Sequence, residues 1–119
     1  MSSEVIRAVF GRVAGAAVLF AVVGLRPAVA AEPPAGFLVA RSNACLGCHA
    51  VDRKLVGPGF VQIAAKYKGD SQAQEKLEAK VRDGGAGVWG VIPMPAHPRM
   101  SDGDIQAVVK WVLEGAPSQ

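Results

Sequence analysis

The chain has 119 residues, 50% hydrophobic and 19% charged, with 13 basic against 10 acidic side chains. A formal +3 with no basic stripe interleaved with aromatics argues against a nucleic-acid-binding surface. Without repeats or low-complexity tracts the chain makes one domain, whose core is thin unless something else helps to fill it.

Residues 1–30 read as a secretory signal peptide ahead of a domain over residues 31–119. Arg7 and Arg12 form a basic opening, Val13 to Leu25 is an uninterrupted apolar run, and Ala28-Val29-Ala30 offers small residues for cleavage. The run is too short to span a bilayer comfortably, since about twenty apolar residues are needed. Retention as an uncleaved anchor, or a cut one residue later, are the alternatives. Cleavage after Ala30 leaves a domain of formal charge +1, so the basic balance belongs to the leader.

In the domain, Pro34 suits the first position of a helix running to about Asn43, with Phe37, Leu38 and Ala40 facing inward. Cys45-Leu46-Gly47-Cys48-His49 follows. The two cysteines lie about one helical turn apart, so both thiols can reach the two vinyl groups of one porphyrin. His49 then offers a ring nitrogen to the iron as proximal ligand. A thioredoxin-like dithiol uses similar spacing but expects a strand before it, and no β-rich run precedes Cys45. A structural zinc site needs four ligands, and Cys45, Cys48, His49 and His97 are not spaced like a zinc finger. One covalent haem c is the reading that uses every residue of the motif. It agrees with export, since this attachment is completed outside the cytoplasmic membrane, and it leaves no disulfide and no free thiol. A buried porphyrin also enlarges the apolar core.

Lys54-Leu55-Val56-Gly57-Pro58-Gly59 is punctuated as a loop. Phe60 to Tyr67 reads as a short helix with Phe60, Ile63, Ala64 and Tyr67 on one face. Ser71 and Gln74 form a capping-box pattern opening a third helix to about Arg82, with Ala73, Leu77 and Val81 on its buried side. Ser101 and Asp104 cap a last helix whose Ile105, Val108, Val109 and Val112 share a face widened by Trp111 and Leu113, and Gly115 ends it. No stretch alternates with period two, so the fold class is all-α, with a long irregular segment from Asp83 to Met100.

That segment contains Gly85-Ala86-Gly87-Val88-Trp89-Gly90, which satisfies the dinucleotide-binding pattern letter for letter. The pattern requires a strand before it and a helix after it, and here neither is expected. The glycines instead suit a chain turning tightly against something bulky. For the second axial position of the iron, the residues leave Met94, Met100 and His97 as candidates. Met94 is braced between Pro93 and Pro95; Met100 has no such bracing, and a methionine in a small protein is usually core filler.

Cys-Leu-Gly-Cys-His near the start of the domain, Lys-Leu-Val-Gly-Pro-Gly-Phe, Gly-Val-Trp-Gly-Val-Ile-Pro-Met-Pro and the terminal Lys-Trp-Val-Leu together resemble the short bacterial class I cytochromes c, of the cytochrome c-551 (c8) type. The likeness runs from about Phe37 to Leu113. It implies a class I cytochrome c fold of four to five short helices around one covalently bound haem, with the first and last helices crossing. It implies Cys45 and Cys48 as thioether attachments, His49 and Met94 as iron ligands, and a Pro58 carbonyl that accepts a hydrogen bond from His49. Trp89 matches the family tryptophan at a haem propionate. Lys80 stands where relatives often carry an arginine near a propionate, losing the bidentate fork. His97 replaces an asparagine that often bonds the ligand sulfur, and the expectation is that its protonation couples to the iron, the potential falling as it deprotonates.

With both axial positions filled by protein, no site remains for a substrate, which points to one-electron transfer rather than catalysis. Methionine opposite histidine raises the potential. By family analogy, Leu46, Leu55, Val56, Ile92, Pro93 and Pro95 surround the porphyrin edge; Lys54, Lys66, Lys68 and Lys76 either steer acidic partners collectively or are ordinary solvated charges. The resemblance implies a monomeric periplasmic carrier of a Gram-negative cell, off the membrane once its leader is cleaved. Its donor would be a quinol-oxidising complex and its acceptor a nitrite reductase or oxidase. A cytochrome subunit of a periplasmic dehydrogenase is the alternative, and a haem enzyme or gas sensor would need an open distal site.

Overall fold

A computed structural model describes residues 30–118; the expected signal peptide lies, but for its last residue, outside them. Among the described residues there are four α-helices and no named strand: α1 (Ala35–Ser42), α2 (Phe60–Lys66), α3 (Ala73–Asp83) and α4 (Asp102–Leu113), with a 3₁₀ turn at Cys45–Gly47. None is long and apolar enough to cross a membrane.

The last helix is the hub, and α1, α2 and α3 all pack on it. Its apolar residues at i, i+3, i+4 and i+7 all reach the core: Ile105, Val108, Val109 and Val112 are buried, with Trp111 beside them. The Ser101 hydroxyl accepts the Asp104 N–H at 3.1 Å and so starts the helix. Gly115, at φ +94°, turns the chain out of it.

α1 crosses α4 at Gly36, where an added Cβ would overlap Trp111. The absence of a side chain lets the two backbones approach closely. Phe37 meets the Trp111 ring edge-on at 5.9 Å, and Ala40 is fully buried beneath. Leu38, expected inward, is instead 43% exposed. On a helix crossing through Gly36 and Ala40, position 38 lies on another side.

The third helix starts later than expected, and its capping box does not form. Gln72 precedes the first helical residue without a side-chain cap, while Asp70 Oδ1 accepts the Gln72 N–H at 2.9 Å. An aspartate two residues upstream does locally what Ser71 was expected to do. Gln74 turns to Glu78 at 2.6 Å and to the Gln106 carbonyl of α4. The back-reaching half of such a box appears at α2, where the Gln62 side chain accepts the Gly59 N–H at 2.9 Å. At the other end of α3, Arg82 pairs with Asp102 and reaches the Met100 carbonyl, tying α3 to the start of α4.

Candidate functional site

The Cys45–His49 motif owes its shape to one residue that breaks a backbone rule. Ala44, at φ +59°, is in the left-handed region that L-residues with a side chain rarely adopt. It stops α1 and swings the chain into the 3₁₀ turn. The Cys45 carbonyl then accepts from both Cys48 N, at 3.1 Å, and His49 N, at 3.0 Å. Both thiols and the imidazole therefore leave one tight turn. Burial pushes the Cys45 thiol above its ordinary value, only partly offset by a hydrogen bond, and Cys48 adds to the rise. A redox dithiol needs the opposite, a first cysteine whose value is depressed, so the motif is not built for exchange chemistry.

His49 is held from three sides. Its Nδ1 lies 2.7 Å from the Pro58 carbonyl oxygen, which can only accept, so Nδ1 carries the proton and Nε2 is the nitrogen left with a lone pair. Gly57 lies against the ring: a Cβ there would stand 2.5 Å from Cε1. The Phe60 ring stacks on the imidazole at 5.3 Å between centroids and 18° between planes. The loop between is cinched by Gly57 N to Cys48 O at 2.8 Å and Phe60 N to Ala50 O at 2.9 Å.

Met94 is presented from the irregular segment by its backbone. Gly85 N donates to Met94 O at 2.9 Å and Met94 N to Gly85 O at 3.0 Å, closing a loop over the residues between. Gly84 packs so flat against this junction that a Cβ would overlap the Met94 carbonyl oxygen. Gly85, Gly87 and Gly90 all have positive φ, and no helix follows them before Asp102, so this is a turn and no dinucleotide loop. Met94 is half-buried, whereas Met100 is 8% exposed and belongs to the hydrophobic core. His97 is half-buried, its N–H bonded to the Val81 and Arg82 carbonyls at 3.0 and 3.2 Å; its imidazole makes no hydrogen bond to a described residue.

The remaining expected residues lie around this loop. Lys80 donates to the Gly84 carbonyl at 3.2 Å, at the loop's root. Trp89, near its tip, carries the Lys66 ammonium 5.4 Å above its ring, a cation–π contact linking α2 to the loop. Of the four lysines expected to steer partners, Lys76 is engaged with Asp70 at 2.8 Å. Lys54 and Lys68 are exposed and without an ion pair among the described residues.

The donors suit an iron porphyrin. A neutral imidazole with one free nitrogen, a thioether and two thiols match haem c chemistry. Leu38, Leu55, Val56, Val88, Trp89, Val91 and Ile92 are large hydrophobics left exposed on α1 and on the two loops that carry His49's clamp and Met94. So much exposed apolar surface on a small protein marks a binding region. Phe60, Gly57 and the Gly84–Gly85 pair are parts that sequence reasoning missed as site residues. Phe60 looked like core, and only the closeness of Gly-Pro-Gly to the motif hinted at a clamp.

The cytochrome c family model matches residues 35–116. The chain is 44% identical over 85 residues to cytochrome c-551 of Allochromatium vinosum, covering 71% of this chain and 90% of that one. It is 44% identical over 75 residues to cytochrome c-552 of Nitrosomonas europaea, covering 63% and 73%. The crystal structure of wild-type Nitrosomonas europaea cytochrome c552 superimposes with a TM-score of 0.64 at 42% identity, over 66% of this chain and 98% of that one. A class 1 cytochrome from Sideroxydans lithotrophicus gives 0.60 at 29% identity, over 68% and 92%.

Proposed function

The chain belongs to the cytochrome c family, and from that premise we propose that it carries electrons through the periplasm between a respiratory donor and a terminal acceptor. It is an electron-transfer protein of the short c-551 type with one covalently attached haem c, not an enzyme. When bound, the haem supplies a one-electron ferric–ferrous centre.

The residues take the following parts in this reading. Cys45 and Cys48 would hold the haem through thioethers, and His49, through Nε2, and Met94, through its sulfur, would be the iron's two protein ligands. The Pro58 carbonyl keeps the His49 proton on Nδ1 and raises the basicity of the donor nitrogen. Trp89 and Lys80 serve the propionates, Lys80 as a point charge from the root of the loop. The observation that carries the reading is the three-sided hold on His49, which leaves one ring nitrogen free. Two protein ligands leave no position for oxygen, peroxide or another substrate.

A donor such as a quinol-oxidising complex and an acceptor such as a nitrite reductase or an oxidase suit a potential raised by methionine ligation. Docking would use Leu55, Val56 and Ile92, exposed and adjoined by Lys54. Export of a monomer by the leader in residues 1–30 belongs to the same reading. So does the coupling of His97 to the iron, which identical pH dependence of the potential in parent and His97→Asn would remove. The test of function is the absorption spectrum of oxidised holoprotein beside Met94→Ala. A ferric iron–thioether charge-transfer band should be present in the parent and lost in the variant. A parent without the band, or one that binds carbon monoxide readily when reduced, would overturn the carrier assignment. Gel filtration of the native extract separates a free carrier from a dehydrogenase subunit.

A further inference from the structure

One hydrogen bond does not fix a ring. With Nδ1 tied to the Pro58 carbonyl, the imidazole of His49 can still rock about the line joining those two atoms. The structure shows what removes that freedom. The Phe60 ring stacks on the imidazole with 5.3 Å between centroids and planes 18° from parallel. Phe60 is 4% exposed, and its outer side is braced edge-to-face by Trp111 at 5.1 Å and 68°. Trp111 in turn abuts Phe37 of α1 and donates its Nε1–H to the Pro117 carbonyl at 2.9 Å. The ring is held at its own end as well. Phe60 N and Val61 N donate to the Ala50 and Val51 carbonyls, the residues that follow His49 in sequence, at 2.9 and 3.0 Å.

We propose that Phe60 is a positioning residue that sets the plane of the His49 imidazole, transmitting to the iron the orientation defined where α1 crosses α4. The inference rests on His49 being an axial ligand. With His49 as a ligand, the plane of its imidazole would contribute, together with the orientation of the second ligand's lone pair, to which of the iron's π-symmetry orbitals is raised in the ferric state. It therefore appears in the anisotropy of the ferric electron paramagnetic resonance spectrum and in the spread of the haem methyl proton shifts. Mere loss of core packing elsewhere would leave both unchanged.

The test compares ferric holoproteins at one neutral pH. Phe60→Leu keeps an apolar side chain but has no face to stack; Phe60→Met serves the same purpose if that variant does not accumulate. Phe60→Tyr keeps the ring. Ile63→Ala, a truncation of a buried residue one turn along α2, lowers stability while leaving the Phe60 ring in place. The expected result is a shifted methyl pattern and altered anisotropy in Phe60→Leu or Phe60→Met, near-parent values in Phe60→Tyr, and parent values in Ile63→Ala despite its lower unfolding midpoint. Parent-like spectra in the ringless variants, or an equal change in Ile63→Ala, would overturn the positioning role. Failure of the underlying reading is recognised separately, because His49→Ala would then leave the ferric spectrum as it was.

Discussion

Replacing Gly36 by alanine sets two effects of opposite sign against each other. In a helix interior alanine is favoured over glycine by about 0.5–1 kcal/mol. At this position, however, the new Cβ would stand 2.7 Å from both the Ala107 carbonyl oxygen and Trp111 Cγ, besides overlapping Trp111 Cβ. Ordinary contact begins at 3.4 Å and Trp111 Cβ would stand at 2.1 Å, so α1 and α4 must part by about 1.3 Å to restore it. A gap of roughly 0.5–1 Å forfeits a quarter to a half of each van der Waals well, along the crossing that seats Phe37 on Trp111. Overpacking of this kind costs about 1–3 kcal/mol. Against the propensity gain, the middle of that range leaves a net loss of about 1 kcal/mol, and each kcal/mol lowers the melting temperature of a domain this size by roughly 4–8 °C. Denaturant unfolding of the ferric holoprotein, followed by circular dichroism, should show a lower midpoint with an unchanged slope. Gly103→Ala is the matched comparison. Gly103 is likewise the second residue of its helix, and nothing lies within 4 Å of its Cβ position. It should gain up to about 0.5–1 kcal/mol, the propensity difference alone. A Gly36→Ala midpoint at or above the parent's, or shifts of the same sign in both variants, would refute the steric argument.

Four further outcomes follow from the same geometry. Ala44→Gly relieves a left-handed alanine and should raise the holoprotein's stability by about 1 kcal/mol, read from the unfolding midpoint. Gly57→Ala drives a methyl into the His49 ring and should cost about 1–3 kcal/mol, with a changed ferric spectrum that a distant core substitution of equal cost would not produce. The Asp70 carboxyl is held below the usual range, first by the Lys76 hydrogen bond and then by Gln72 N–H. Its contribution is complete above the ordinary carboxylate value and disappears as pH falls through the lowered one; unfolding midpoints of parent and Asp70→Asn should therefore differ at neutral pH and converge in acid. For partner steering, Lys68→Ala should weaken the salt dependence of electron-transfer rate with an acidic partner, while removing the mutually neutralising Lys76–Asp70 pair together, Lys76→Ala with Asp70→Asn, should leave it nearly as in the parent.

The helices were legible where side-chain period and burial agree. Ile105, Val108, Val109 and Val112 announced the face of α4, and all four are buried. The start of α3 was not legible, because Ser71, Asp70 and Gln74 each offer a local side-chain bond and spacing does not say which one wins. The donors Cys45, Cys48, His49 and Met94 could be named from motif and resemblance. Of the supports around them, only the Pro58 carbonyl beside His49 could. Gly57 and Gly84 matter for the side chain they lack, which is visible only once a neighbour's atoms are in place. Phe60 carries two functions on one apolar pattern, and periodicity registers only the packing.

The two residues proposed as iron ligands are anchored to unequal foundations. His49 is wedged against Phe60 and, through it, the aromatic heart of the domain, while Met94 hangs from a pair of backbone bonds at the neck of a loop whose Val91 and Ile92 are open to water. Local opening takes the least-supported segment first. Under rising denaturant the sulfur should let go well before the nitrogen, so the molecule comes apart in a fixed order, its haem still stitched to the chain and seated on one ligand when the other has gone.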